Sequence, residues 1–166
     1  CCPARQPNQG LPRYALVVGV GDYARLPNRP QSEIDARLMA DALKAAGYAL
    51  VSGGPLINPD QMRLSYANDI LGRLSEDGAE VIFYFSGHSV ATEDELFLLT
   101  RDAQSPPLIL YAEGGMRLEE IWSHPPNQFP SRIDAIIETD GIRGLMRQGI
   151  SAAGTGLPEI DAPPGV

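Results

Sequence analysis

The feature that most limits the fold is the segment Ala79 to Phe85, whose run Val81-Ile82-Phe83-Tyr84-Phe85 leads straight into Ser86-Gly87-His88-Ser89. An unbroken apolar run too short for a helix predicts a strand covered on both faces, as in a parallel sheet. Tyr14 to Val20 and Arg132 to Glu138 have the same character and predict two further buried strands. A short strand is expected at Tyr48 to Val51, ended by Gly53-Gly54-Pro55.

Between these runs the period changes. Ser32 to Ala46 reads as a helix, with Ser32 and Asp35 as a capping-box-like start, Ile34, Leu38 and Leu43 as its apolar stripe, and Gly47 as its stop. A second helix begins at Asn58 as N-cap with Pro59 in the first turn, and Gly78 closes it. Met62, Tyr66, Ile70 and Leu74 recur every four residues and predict its buried face. Glu95 to Thr100 reads as half of an edge hairpin, and Met116 to Trp122 as a short helix before Pro125-Pro126. Strands alternating with helices predict an α/β fold, a three-layer αβα sandwich with a mainly parallel sheet. Sites in such sheets form at the carboxyl ends of strands.

With 166 residues the chain is long enough for one domain with its own core. Its net charge of −8, with no Lys or Arg cluster, argues against nucleic acid or anionic lipid as a main partner. No apolar run is long enough to span a bilayer. Cys1 and Cys2, the only cysteines, are adjacent, so they make neither a disulfide framework nor a cysteine zinc site. Cys1 fits a lipid-attachment site or a processing boundary equally, which leaves a secreted, periplasmic, lipid-anchored or cytoplasmic location open. Residues 1–12 read as a polar, Pro-rich tail, and after Arg143 the chain turns loop-like.

Three strand ends carry candidate chemistry. Gly19-Val20-Gly21-Asp22-Tyr23-Ala24 has the spacing G-x-G-x-x-A of a dinucleotide fingerprint, but Pro27 and Pro30 hold a loop where the phosphate-binding helix would have to open. A tight turn after a strand is the better reading. His88 stands at a strand end behind Gly87, where an imidazole can act as general base. Asp140 precedes Gly141 at the end of the third long strand, a pair that is also common in turns.

Taken together these segments resemble the caspase-like peptidases, in their bacterial and metacaspase-related branch. Tyr14 to Tyr23 is similar to the family's first strand and turn, and Glu33 to Gly47, with Asp35-Ala36, to its first helix. Phe83 to His88 (F-Y-F-S-G-H) is similar to the Y-F-S-G-H-G that carries the family's histidine. Leu96 to Asp102 resembles the stretch before the next loop, where an Asp is usual, and Ile133 to Arg143 the strand that ends D-A-C-R.

The resemblance implies cysteine-nucleophile amide hydrolysis, with His88 as the histidine and the N–H of Ser89 on the oxyanion. It places Ile142 where the cysteine belongs, and isoleucine has no lone pair to attack with. It also implies a pocket for Arg or Lys lined by Asp35 and Asp140. No cofactor and no metal are implied. The acidic run Glu93-Asp94-Glu95 reads as a solvated loop, although some metacaspases use calcium. The expected layout is a tail over 1–12, a large-subunit domain over 13–155 and a linker over 156–166, with the family's last strands missing. The partners expected are a basic peptide or protein, and a small-subunit segment or second chain, including a dimer, completing the sheet. An active peptidase with its thiol supplied from elsewhere and a nucleotide-binding α/β domain are the two other readings.

Overall fold

The computed structural model describes residues 10–74, 79–91, 95–104, 114–121 and 132–141. The expected tail before residue 10, Gly78 as a helix stop, Trp122, and everything from Ile142 onward lie outside the described residues.

The strands form one sheet. Strand β1 (Arg13–Gly19) lies parallel to β4 (Glu80–Ala91), and β4 lies parallel to β7 (Arg132–Gly141) on its other side. Two short strands, β2 (Ala49–Leu50) and β3 (Leu56–Ile57), run parallel to β1 on its outer edge. β5 (Leu96–Leu99) pairs antiparallel with the last residues of β4, and β6 (Gly115–Arg117) antiparallel with β5. Helix α1 (Gln31–Ala45) covers one face and α2 (Gln61–Leu74) the other, which makes the expected αβα sandwich.

The alternation along β1 divides the core. Leu16 and Val18 pack with Leu64, Ala67, Leu71, Phe83 and Phe85, while Ala15 and Val17 pack with Ala36, Ala40, Leu43 and Tyr84. Ala15–Val18 of β1 and Val81–Phe85 of β4 are therefore continuously apolar, as a doubly covered sheet requires.

Both helices present a different face from the one their large side chains predict. In α1, Ile34 (51% exposed) and Leu38 (64%) point to solvent, and the buried side is Ser32, Ala36, Ala40 and Leu43. Small residues win because α1 lies against Gly19, where an added Cβ would sit 2.5 Å from the Ala36 Cβ and 2.6 Å from the Ser32 carbonyl oxygen. Ser32 also fails as a cap: Pro30 holds the N-cap position with no side-chain cap, Ser32 is buried, and Asp35 instead accepts a hydrogen bond from Gln31. Gly47 does end the helix, at φ +88°, with the N–H of Gly47 on the Lys44 carbonyl and that of Tyr48 on the Leu43 carbonyl, a Schellman closure.

In α2, Met62 is 81% and Tyr66 66% exposed, and the buried face is Leu64, Ala67, Asn68 and Leu71, at helical three-four spacing. A strict four-residue repeat drifts around a helix with 3.6 residues per turn, so the expected stripe does not stay on the core side. The N-cap is Asp60, whose Oδ1 accepts from the Arg63 N–H at 2.8 Å, not Asn58, which has φ +47° and lies before the helix.

Two smaller expectations also change. The helix predicted over Met116 to Trp122 is strand β6 followed by a 3₁₀ turn, Leu118–Ile121. β7 is an edge strand: Ile136 is 42% exposed, and among the described residues only β4 pairs with it.

Candidate active site

β4 outruns β1. Their pairing stops at Gly19 opposite Ser86, and β5 takes over only from Ser89. Gly87 and His88 thus sit at a seam between two neighbouring strands, where the sheet leaves backbone groups to be satisfied by other means. Tyr23 fills that gap. The His88 N–H donates to the Tyr23 hydroxyl at 2.8 Å, and that hydroxyl donates to the Leu99 carbonyl at 3.3 Å, joining the loop after β1 to β4 and β5. The Tyr23 ring lies against the imidazole, with centroids 4.8 Å apart. Burial pushes the Tyr23 phenol above its usual range, against a smaller opposing effect of the His88 hydrogen bond. A side chain at position 87 has no room: a Cβ there would be 2.7 Å from the Tyr23 hydroxyl.

The imidazole of His88 is buried, and its Nε2 lies 2.8 Å from the Pro27 carbonyl oxygen. A carbonyl only accepts, so Nε2 carries the proton. In the neutral ring Nδ1 is then the unprotonated nitrogen, and it is buried with no hydrogen-bond partner among the described residues. A neutral imidazole held in this way keeps its lone pair on Nδ1, the arrangement a general base would need.

The loop that supplies Tyr23 and Pro27 is tied at several points. The Arg29 N–H donates to the Gly21 carbonyl at 2.7 Å, and the Tyr23 N–H to Asn28 Oδ1 at 2.9 Å. Asn58 Oδ1 accepts from the N–H groups of Gly21 (2.8 Å) and Asp22 (3.0 Å). Arg29 reaches β4 and β7 together, its Nη1 donating to the carbonyls of Gly87 (2.9 Å) and Glu138 (3.3 Å). The glycine-rich turn is thus closed on Asn58, and α1 opens only at Gln31, so the dinucleotide arrangement is not formed.

The residues singled out in the sequence fall as follows. His88 and Asp140 are direct register partners across β4 and β7, and Ser89 pairs with Gly141. Ser89 is buried, and its Oγ accepts from the Thr139 hydroxyl at 2.8 Å. The side chain of Asp140 and the whole of Ile142 lie outside the described residues. Asp35, in the first turns of α1, acts on the Tyr84 hydroxyl through its charge. The same hydroxyl donates to Glu138 Oε2 at 2.7 Å. Burial, then the Glu138 hydrogen bond, raises the Tyr84 phenol above its usual range. Ser86 lies opposite Gly19, and its side chain lowers the Tyr84 phenol slightly through a hydrogen bond; Ser32, which packs on Gly19, is buried with no partner for its hydroxyl among the described residues.

Two other acids have other work. Asp102 accepts from the Gln61 N–H (3.1 Å) and the Thr100 hydroxyl (2.6 Å), tying the loop after β5 to α2. Glu95 pairs with Arg117 at 3.1 Å, while Glu93 and Asp94 lie outside the described residues. Among the described residues no group of three or more His, Cys, Asp or Glu is placed to hold a metal ion, and no helix is long and apolar enough to cross a membrane.

Sequence reasoning missed Pro27, Arg29, Asn58, Tyr84 and Glu138. Pro27 acts through its carbonyl, which no side-chain pattern can announce. Asn58 was legible as a residue at home in turns, and its tolerance of a left-handed backbone was the usable signal.

Comparison with known proteins agrees with this geometry. A family model described as the caspase domain matches residues 12–111. The chain is also similar to the crystal structure of a structural-genomics target from Geobacter sulfurreducens, with a TM-score of 0.54, 14% identity, and coverage of 78% of this chain and 50% of that one. The chain thus spans half the length of that protein, and at this identity the likeness speaks for the fold alone. No curated protein matches. The ordered strands, the buried histidine at the seam of the sheet and the match over residues 12–111 place this chain in the caspase-domain family.

Proposed function

We propose that this chain is a caspase-like module that binds a basic side chain, of a peptide or a protein, and does not itself cleave the bond beside it. The observation that carries the reading is the sequence Asp140-Gly141-Ile142, which continues β7 from Asp140, the register partner of His88. A histidine with its tautomer fixed has no thiol to activate if isoleucine stands at the nucleophile position. Loss of a nucleophile costs a covalent hydrolase about a million-fold in rate.

Recognition of Arg or Lys is supported by chemistry near the same strand ends. Glu138 accepts from the Tyr84 hydroxyl, and Asp35 adds its negative charge to the surroundings of the same phenol, a pairing of acids that suits a guanidinium or ammonium. Calorimetric titration of the complete protein with Arg-, Lys- and Asp-containing peptides tests this. Binding of the basic peptides, weakened by Asp35→Asn, supports the proposal. Preference for the acidic peptide, which the Arg29 guanidinium would favour, contradicts it.

The outer edge of β7 favours a further partner, a small-subunit segment or second chain that extends the sheet. Sedimentation of the complete protein tests it: a monomer with no added strand sinks the idea. An active peptidase that receives its thiol from another chain remains the alternative reading, and the assay that closes the Discussion separates the two.

A further inference from the structure

We propose that Asn58 is a positioning residue for His88: by clasping the Gly21–Arg29 loop it holds the Pro27 carbonyl on Nε2 and so keeps Nδ1 as the basic nitrogen. The proposal rests on His88 being the base of the site. It does not depend on whether the protein cleaves or only binds.

Among the described residues one atom outside the imidazole fixes its tautomer, the Pro27 carbonyl oxygen, and that atom belongs to a loop segment with no ladder of its own. Its position is set by the neck of the loop, where Arg29 N–H meets the Gly21 carbonyl. The neck is held from outside the loop by Asn58, whose Oδ1 takes the N–H groups of both Gly21 and Asp22. Asn58 is held in turn: its Nδ2 donates to Glu33 Oε1 at 2.9 Å, and its own N–H donates to the Gly19 carbonyl at 2.8 Å. Its backbone is left-handed, at φ +47°, and Asp60 rather than Asn58 caps α2. There is no slack at this point, since a Cβ on Gly21 would meet the Arg29 carbonyl oxygen and Glu33 Cγ, both at 2.8 Å. The path from Glu33 through Asn58 to the loop neck and Pro27 is therefore continuous, and each link is a hydrogen bond or a covalent stretch of the same loop.

The chemistry of the clasp suggests a swap. Asn58 offers an acceptor to the loop and a donor to Glu33. Asn58→Asp keeps the acceptor but sets two carboxylates face to face. Adding Glu33→Gln returns a donor from the other side.

Nitrogen-15 NMR of the imidazole, recorded at about pH 8.5, two units above the usual histidine pKa, reads the tautomer directly. The second histidine, His124, is removed from the spectrum by His124→Gln. The wild-type protein is expected as the Nε2–H form. Asn58→Gly, which tolerates the backbone but lacks the side chain, is expected to shift the ratio about three- to tenfold toward Nδ1–H, the worth of one net hydrogen bond. Asn58→Asp is expected to shift it similarly, and Asn58→Asp with Glu33→Gln to restore it. An unchanged ratio in folded Asn58→Gly overturns the proposal, as does failure of the double variant to differ from Asn58→Asp. If Asn58→Gly does not fold, Glu33→Ala carries the same test, and an unchanged ratio there overturns the proposal. A wild-type Nδ1–H form would instead overturn the reading of His88 itself.

Discussion

The amide of His88 donates to the hydroxyl of Tyr23 at 2.8 Å, across the seam where β1 has ended and β5 has not yet begun. This bond lets β4 carry its histidine beyond the end of β1 without leaving a buried N–H unpaired. Its removal is the first test of the fold around the site. Tyr23→Phe keeps the ring against the imidazole and deletes only the hydroxyl, which orphans the His88 N–H and the Leu99 carbonyl. The expected cost is roughly 1–3 kcal/mol, read as a lower urea midpoint with an unchanged slope.

Close approach of α1 to the sheet depends on Gly19. Gly19→Ala would push a methyl into the Ala36 Cβ and the Ser32 carbonyl, and neither can withdraw without moving the helix. A loss of about 1–3 kcal/mol is expected from overpacking, measured by thermal or denaturant unfolding.

The faces of α2 give a paired test. Leu64 is fully buried in the main core, and Leu64→Ala should cost about 2–5 kcal/mol. Tyr66 is 66% exposed, and Tyr66→Ala should stay within about 0.5 kcal/mol. If the order were reversed, the four-residue stripe read from the sequence would be the true inner face.

Alkaline pH should destabilise the protein through Tyr84. Burial and the Glu138 carboxylate raise its phenol above the ordinary 10.0. The unfolded chain then loses this proton at a lower pH than the folded one. The stabilisation is complete below about pH 10 and declines as pH rises through the folded value. The urea midpoint should fall above about pH 10, and less steeply in Tyr84→Phe. Equal slopes in the two proteins would remove Tyr84 from the account.

Much of this was legible in the sequence, and what was not has a physical pattern. The strands β1 and β4 could be read because both faces are covered, so that Ala15–Val18 and Val81–Phe85 are continuously apolar. His88 could be read because a strand end places it. The helix faces were misread because α1 meets the sheet through Ser32, Ala36 and Ala40, and a contact built on small residues leaves no hydrophobic period to detect. β3 and β6 are too short to carry a pattern. Asn58 and Ser32 were both read as caps from residue type alone. The left-handed backbone of one and the burial of the other follow from contacts distant in sequence, with Gly21 and with Gly19.

The proposal turns on His88 serving as the base of a site whose nucleophile position is taken by Ile142. The most direct test is hydrolysis of fluorogenic Arg- and Lys-peptide amides by the complete protein and by its Ile142→Cys variant. The account predicts no cleavage by the wild type and cleavage after Arg or Lys by the variant. Cleavage by the wild-type protein itself would contradict it.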